Sequence, residues 1–199
     1  MVVVCLQPNP AVYSCRSYLV LGSWNTLEDV NTVIDPGTDG HVIAEIDTTS
    51  TGVGKKPVQQ ILLTHSHFDH AGGIPALKKR YGCEARGVNP MPGIDRGLRD
   101  GEHIMMGDRW FQVIHLPGHS NDSVCFYSPD ERALFSGDSP LVVRTPGGSY
   151  HEEFVNRLSQ IAGMRIDVIY PGHDDPIRGD IRALLYDSLR NIRNSTIIR

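Results

Sequence analysis

The stretch of the sequence that most restricts the fold is THSHFDHAGG, residues 64–73. It places three histidines and an aspartate within six positions, directly after the apolar segment VQQILL. Protonated imidazoles this close together would repel one another, and buried neutral imidazoles would lack partners. A cation bound between them removes both difficulties. The sequence therefore predicts a buried strand that ends in a metal site.

Three further polar clusters follow apolar segments in the same way. LPGHSND follows FQVIH, SGD follows RALF, and YPGHDD follows IDVI. Loops that leave buried strands are held rigidly by the sheet, and functional sites are commonly built there. We therefore expect His119, Asp138 and His173 to contribute to the same site as the histidine-rich segment.

The remaining pattern alternates strands with a few helices. A helix is predicted over IPALKKRY, with Pro75 near its first turn and Gly82 at its end. Two more are predicted where apolar stripes run through residues 151–164 and 180–192. The order is many strands, a helix, many strands, a helix, a strand and a helix. This order predicts an α/β fold with helices layered on mixed sheets, as a single domain over residues 1–199.

Composition narrows the partners and the compartment. The formal net charge is −4, so no strong field favours nucleic acid or an anionic membrane. The four cysteines are scattered without a CxxC pair, which suits a reducing compartment. The opening MVVVCLQPNP lacks the basic and apolar regions of a signal peptide. We therefore predict a cytoplasmic protein that acts on a small molecule.

The candidate metal ligands are seven side chains: His65, His67, Asp69, His70, His119, Asp138 and His173. The first two histidines are two positions apart and can bind one ion, whereas the adjacent aspartate and histidine must point differently and suit a second ion. His119 and His173 can supply one ligand apiece, and the Asp138 carboxylate can bridge. Seven ligands are too many for one tetrahedral zinc and fit two ions. Zinc is the favoured metal, and iron or manganese are the alternatives for this thiolate-free set.

The motifs THSHFDH, LPGHS, SGD and YPGH, in this order, resemble those of the metallo-β-lactamase superfamily of hydrolases. The resemblance spans residues 64–173 and implies an αββα four-layer sandwich, in which two mixed sheets lie face to face with helices outside. It also implies the distribution of the ligands: His65, His67 and His119 on one ion, Asp69, His70 and His173 on the other, and Asp138 bridging.

The chemistry implied by two such ions is hydrolysis of an ester, thioester or lactone. Metal-bound water loses a proton near neutral pH, and the resulting hydroxide can attack a carbonyl carbon. The cations then stabilise the developing oxyanion. Asp69 is the predicted catalytic residue, because a carboxylate touching that water can orient it and pass a proton to the leaving group.

Within the superfamily the sequence is most similar to glyoxalase II, the hydroxyacylglutathione hydrolases. Asp138 stands where several β-lactam-hydrolysing enzymes place cysteine or serine, so β-lactam hydrolysis is not expected. The sequence differs from glyoxalase II after the bridging aspartate, where it reads SPLVVRTPGGS. Those enzymes carry a helical domain after the position of His173 that helps to bind glutathione, whereas 26 residues follow His173 in this sequence. Thioester or ester hydrolysis is therefore expected without glutathione recognition being implied.

Two alternatives differ in class. The same motifs also resemble those of persulfide dioxygenases, which use one iron held at the positions of His65, His119 and Asp138. Arg144 and the segment GHSN resemble that branch of the superfamily. A metal-binding protein without catalysis is the other alternative. Oxygen consumption with glutathione persulfide, compared with thioester and lactone hydrolysis, separates these functions.

The loop TPGGSY precedes a predicted helix and could reach over the metals. Tyr150 and His151 are therefore candidates for substrate contact. Arg144 lies in the same region and is a candidate for contact with an anionic substrate.

Overall fold

A computed structural model describes residues 1–198 of the protein. The first part of the chain forms six strands and three helices: β1 (Val2–Cys5), β2 (Tyr18–Leu21), β3 (Thr32–Ile34), α1 (Val42–Thr48), β4 (Gln60–Leu62), α2 (Phe68–Ala71), α3 (Ile74–Tyr81), β5 (Glu84–Gly87) and β6 (Arg96–Gly97). The remainder of the described chain continues with β7 (His103–Met106), β8 (Arg109–His115), β9 (Val124–Ser128), β10 (Ala133–Gly137), β11 (Ser149–His151), α4 (Glu152–Ala162), β12 (Val168–Pro171), β13 (Ile177–Arg178), α5 (Ile181–Arg193) and β14 (Thr196–Ile198).

Both large sheets are mixed. The first has the order β1-β2-β3-β4-β5-β6, antiparallel from β1 to β3 and parallel from β3 to β6. The second has the order β13-β12-β10-β9-β8-β7, in which β10 and β12 run parallel and the other neighbours antiparallel. A small parallel sheet pairs β11 with β14. Because β3 and β4 are parallel, as are β10 and β12, each of these pairs brings two carboxyl ends to the same edge of its sheet.

The two sheets pack face to face through side chains that alternate along each strand. In β2, Tyr18 and Val20 point into the layer between the sheets, whereas Leu19 and Leu21 point to the opposite face. This is the two-residue period of a strand that is buried on both faces. The inter-sheet layer is rich in large side chains, among them Ile34, Leu62, Phe111, Phe126, Phe135 and Tyr170.

The outer faces of the sheets are covered by helices. On the first sheet, α1 and α3 contribute Val42, Ile46 and Leu77 to one apolar cluster. On the second sheet, α4 and α5 contribute Phe154 and Leu185 to another. The resulting layers are helix, sheet, sheet, helix, so the predicted αββα four-layer sandwich is confirmed. In the described part of the chain, no helix is both long enough and apolar enough to cross a membrane.

Two pairings were not predicted from the sequence. The stretch 87–101 is rich in glycine, proline and arginine and predicts a loop, but Arg96–Gly97 forms β6 and pairs with β5 at the sheet edge. The β11–β14 pair joins segments more than forty positions apart. The strands β6, β11 and β14 are short and mostly exposed, and backbone hydrogen bonds to a distant segment stabilise them. Their sequences therefore show no alternation of apolar and polar residues from which a strand could be predicted.

Replacing Phe135 by alanine is expected to destabilise the protein by about 3–5 kcal/mol, because it leaves a cavity in the inter-sheet layer. The Phe135 ring is fully buried, stacks on Tyr170 at 4.6 Å and contacts Tyr18 at 5.4 Å between ring centroids. Urea denaturation measures the change. Trp110→Ala is the control, since this side chain is half exposed and should change stability by less than about 0.5 kcal/mol. Equal effects of the two substitutions would contradict the layer assignment.

Candidate metal centre

Strand ends bring the seven predicted ligands to one place. The segment after β4 carries His65, and the loops that follow β8, β10 and β12 carry His119, Asp138 and His173. The short helix α2 turns the chain so that Asp69 and His70 face inward and are buried. The structure therefore assembles all seven side chains, in two adjacent groups.

The first group consists of His65, His67 and His119. Nδ1 of His67 lies 3.1 Å from Nε2 of His65 and 2.9 Å from Nε2 of His119. Ligand nitrogens around a tetrahedral zinc lie about 3.3 Å apart, since each is about 2.0–2.1 Å from the ion. Three imidazole nitrogens that converge in this way form the donor set of a divalent metal.

The second group consists of Asp69, His70, Asp138 and His173. Nε2 of His173 lies 3.1 Å from Oδ2 of Asp69 and 3.3 Å from Oδ2 of Asp138. Nε2 of His70 lies 3.3 Å from Oδ1 of Asp138. Two imidazoles and two carboxylates converge here, which is a harder donor set than the three imidazoles of the first group.

The Asp138 carboxylate lies between the groups. Its Oδ2 is 3.6 Å from Nε2 of His119 in the first group and 3.3 Å from Nε2 of His173 in the second. Its Oδ1 and Nε2 of His70 are buried and lie 3.3 Å apart without the geometry of a hydrogen bond, and neither atom has another hydrogen-bond partner among residues 1–198. Buried polar atoms are rarely left without a partner, and these two point into the second group, so the residues present fit a bound cation.

Charges within the cluster are strongly coupled. Burial lowers the pKa of His65 to about 4, and the neighbouring His70 adds to that effect. Burial also disfavours the charged form of His70, but the contacts with the Asp35 and Asp138 carboxylates and with Cys15 together outweigh burial and raise the pKa of this imidazole. Burial would raise the pKa of Asp138, yet the contact with His70 lowers it to about 2. Asp138 therefore carries its negative charge at neutral pH and is available as a ligand.

Asp35 holds Thr64 and His70 in place through hydrogen bonds, a role that the sequence alone did not predict. It follows β3, is almost fully buried and adopts a left-handed backbone conformation with φ of 51°. Its carboxylate accepts hydrogen bonds from the Thr64 backbone N–H (2.8 Å), the Thr64 hydroxyl (2.7 Å) and Nδ1 of His70 (2.9 Å). The bond to Nδ1 leaves Nε2 of His70 free to bind a metal. The signal in the sequence was a strand-end aspartate in VIDPG.

Two glycines of the motifs are required by close packing. A Cβ at Gly172 would lie 2.1 Å from Oδ1 of Asp138, and one at Gly137 would lie 2.3 Å from the Thr64 hydroxyl. Gly137 also has a positive φ of 50°. The glycines in SGD and PGH therefore let these loops approach one another closely enough to share a site.

The loop that carries His119 is stabilised by a second aspartate, which no pattern in the sequence indicated. Asp122 is buried and accepts a hydrogen bond from the Ser120 hydroxyl at 2.7 Å. The Ser123 hydroxyl lies 2.8 Å from the same Ser120 oxygen and accepts from the Ser120 backbone N–H. These hydrogen bonds stabilise the HSNDS turn, which begins at His119.

An open cavity of about 370 Å³ begins at His119. Of the three candidates for substrate contact, His151 lines this cavity, together with Glu152, Glu153 and Ile198. Tyr150 instead packs against Phe154, with ring centroids 6.0 Å apart. Arg144 lines a different cavity, beside Asp174 and Leu184.

The fold and the site together define an αββα protein with a histidine- and aspartate-rich candidate metal centre at the strand ends. A family model described as the metallo-beta-lactamase superfamily matches residues 11–91 and 88–173. The protein belongs to the metallo-β-lactamase superfamily.

Similar proteins include one named as a thioesterase and one named as a hydrolase. An atrochrysone carboxyl ACP thioesterase of Aspergillus fumigatus is 32% identical over 83% of this chain and 42% of its own length. A probable hydroxyacylglutathione hydrolase of Schizosaccharomyces pombe is 32% identical over 73% of this chain and 59% of its own length. The chain thus spans about half the length of these relatives. Among solved structures, a metallo-beta-lactamase family protein of Thermus thermophilus has a TM-score of 0.71 at 19% identity, covering 96% of this chain and 79% of its own.

Proposed function

We propose that the protein is a binuclear metal-dependent hydrolase of thioesters, with related esters and lactones as further substrates. The observation that carries this proposal is the Asp138 carboxylate, which lies between two groups of ligands beside an open cavity. Relatives named as an acyl carrier protein thioesterase and a hydroxyacylglutathione hydrolase support the same reaction class. Zinc is the proposed metal, with iron or manganese as the alternatives.

The two groups of ligands would bind the metal ions, and Asp69 would also transfer a proton. The first group would hold one ion through His65, His67 and His119, and the second group would hold the other, with Asp138 shared. Bound ions of this kind lower the pKa of water toward neutrality and attract electron density from a carbonyl oxygen. Asp69, with Oδ2 at 3.1 Å from His173, would orient the attacking water and pass its proton to the departing sulfur. A C–O bond forms, the C–S bond breaks, and the products are a carboxylic acid and a thiol.

Elemental analysis of protein purified without added metal, followed by a substrate panel, tests the proposal. The expected result is two metal ions per chain and hydrolysis of thioesters such as acyl N-acetylcysteamine. One iron per chain, with oxygen consumed in the presence of glutathione persulfide, would instead establish the dioxygenase function. Fully loaded protein that catalyses neither reaction would leave a metal-binding protein without catalysis.

The cavity beside His119 favours substrates in which the part bound in this cavity carries no negative charge. Glu152 and Glu153 line it, and among the described residues of its lining there is neither lysine nor arginine. A thiol arm that carries carboxylates, as glutathione does, would be repelled there, whereas a neutral amide-bearing arm would not. Exposed carboxylates act over a distance of about 10 Å at 0.1 M salt, so the effect should weaken as salt is added.

The double substitution Glu152→Gln and Glu153→Gln is expected to raise kcat/KM for a glutathione thioester by several-fold while leaving a neutral N-acetylcysteamine thioester unchanged. The reason is the loss of two negative charges from the cavity wall, a modest effect because both side chains are exposed. Steady-state kinetics at low and high salt measures it. Glu28→Gln, which removes an exposed carboxylate outside the cavity lining, is the matched control. No change in the ratio of the two substrates would contradict the charge selection.

We further propose that the protein acts in the cytoplasm. All four cysteines are free thiols in the described structure, and three of them are buried. Free thiols persist in reducing compartments, which supports this location.

A further inference from the structure

Two exposed aromatic side chains stand beside the second ligand group. Tyr13 is 66% exposed and Phe68 is 64% exposed, and their ring centroids are 6.3 Å apart. Phe68 lies within the metal-binding segment, between His67 and Asp69. Ligand sites commonly combine aromatic walls with a few polar groups, and this pair supplies such a wall next to a polar centre.

The Tyr13 side chain is aimed at the metal centre. Its ring stacks on the His173 imidazole, with centroids 5.2 Å apart and planes inclined by 22°. Its hydroxyl lies 3.5 Å from Nε2 of His173, the atom that faces Asp69 and Asp138. A phenol at this position is within reach of an oxygen atom of a molecule bound at the second group.

The segment that carries Tyr13 is hydrogen-bonded to both neighbouring metal loops. The Thr38 hydroxyl donates to the Tyr13 carbonyl. The backbone N–H of Cys15 donates to the Asp69 carbonyl at 3.0 Å, and that of Arg16 donates to the Gly172 carbonyl at 2.5 Å. The position of the Tyr13 ring is therefore set by the same loops that position the ligands.

We propose that Tyr13 and Phe68 form the acyl-binding wall of the site and select aromatic acyl groups, and that the Tyr13 hydroxyl donates a hydrogen bond to the acyl oxygen. This inference rests on the proposed function. Negative charge develops on the acyl oxygen when water adds to the carbonyl carbon, and a donor fixed in advance stabilises that charge. The wall lies on the His173 side, so the cavity on the His119 side receives the thiol arm.

Two thioesters with the same thiol, benzoyl and acetyl N-acetylcysteamine, test the wall. Wild-type protein is expected to prefer the benzoyl compound in kcat/KM by about tenfold. Tyr13→Leu and Phe68→Leu should each remove most of this preference. Tyr13→Phe should keep the preference but lower kcat about tenfold for both compounds, because the ring remains and only the donor is lost. Tyr186→Leu, an exposed tyrosine on α5, is the control and should change neither quantity.

A binding measurement separates this inference from the proposed function. Calorimetric titration of metal-loaded protein with benzoate and with acetate should show tighter binding of benzoate, and the Leu variants should reduce that difference at unchanged metal content and unfolding temperature. Thioester hydrolysis with equal use of both acyl groups by the wild type would overturn the wall. A preference for benzoate without any thioester hydrolysis would retain the wall and overturn the proposed function.

Discussion

Replacing His67 by alanine is expected to remove the ion of the first group and to reduce thioester hydrolysis at least 100-fold. Nδ1 of His67 is the central donor of that group, within 3.1 Å of both other imidazole nitrogens. Substitutions of outer-sphere partners alone lower metal affinity about 10–100-fold, so loss of a direct ligand should cost more. Elemental analysis should give one metal per chain in place of two.

The His67 side chain is exposed, which makes this substitution informative. Its removal leaves no buried cavity, so the unfolding temperature of the metal-free protein should stay within a few degrees of the wild type. His103→Ala, an exposed histidine on β7, is the matched control and should retain full metal content and activity. An unchanged metal count in His67→Ala would refute the assignment of this ligand.

Replacing Asp35 by asparagine is expected to destabilise the protein by about 3–5 kcal/mol and to weaken metal binding at the second group. The carboxylate accepts three hydrogen bonds from Thr64 and His70 in a fully buried position. An amide has only one acceptor oxygen, so its NH₂ group must face a donor. Loss of the bond to Nδ1 would also release the His70 ring, at an expected cost of about 10–100-fold in metal affinity.

Asparagine is the suitable substitution because it tolerates the left-handed conformation of residue 35, so the effect reports the lost charge and not backbone strain. Chemical denaturation of the metal-free protein measures stability, and competition with a chelator measures metal affinity. Asp39→Asn, four positions along and half-buried, is the control and should cost less than about 1 kcal/mol. Wild-type metal affinity in Asp35→Asn would show that His70 does not depend on Asp35 for its orientation.

Much of the architecture was predictable because local patterns encode it. The apolar stripes of α4 and α5 appear where the sequence indicated. Gly107 and Asp108, a pair typical of hairpin turns, join β7 to β8. The short edge strand at Arg96 was missed, because its pairing depends on the distant β5 and not on its own residues.

The candidate ligands were predictable for a chemical reason. Few side chains bind divalent metals, and here each one follows an apolar strand, so residue type and position select the same seven side chains. The residues alone left open which of His119 and His173 joins which neighbouring pair. The resemblance to the superfamily implied an answer, and the structure groups His119 with His65 and His173 with Asp69.

The sequence by itself thus determined the candidate donor side chains and the layers that carry them, since both follow from residue chemistry and periodicity along the chain. Only the tertiary structure decided what surrounds those donors: Asp35 beneath His70, Tyr13 over His173, and Ile198 in the wall of the cavity at His119. These contacts join segments far apart in the chain. Their formation depends on how sheets and loops pack, and no local pattern of residues records that.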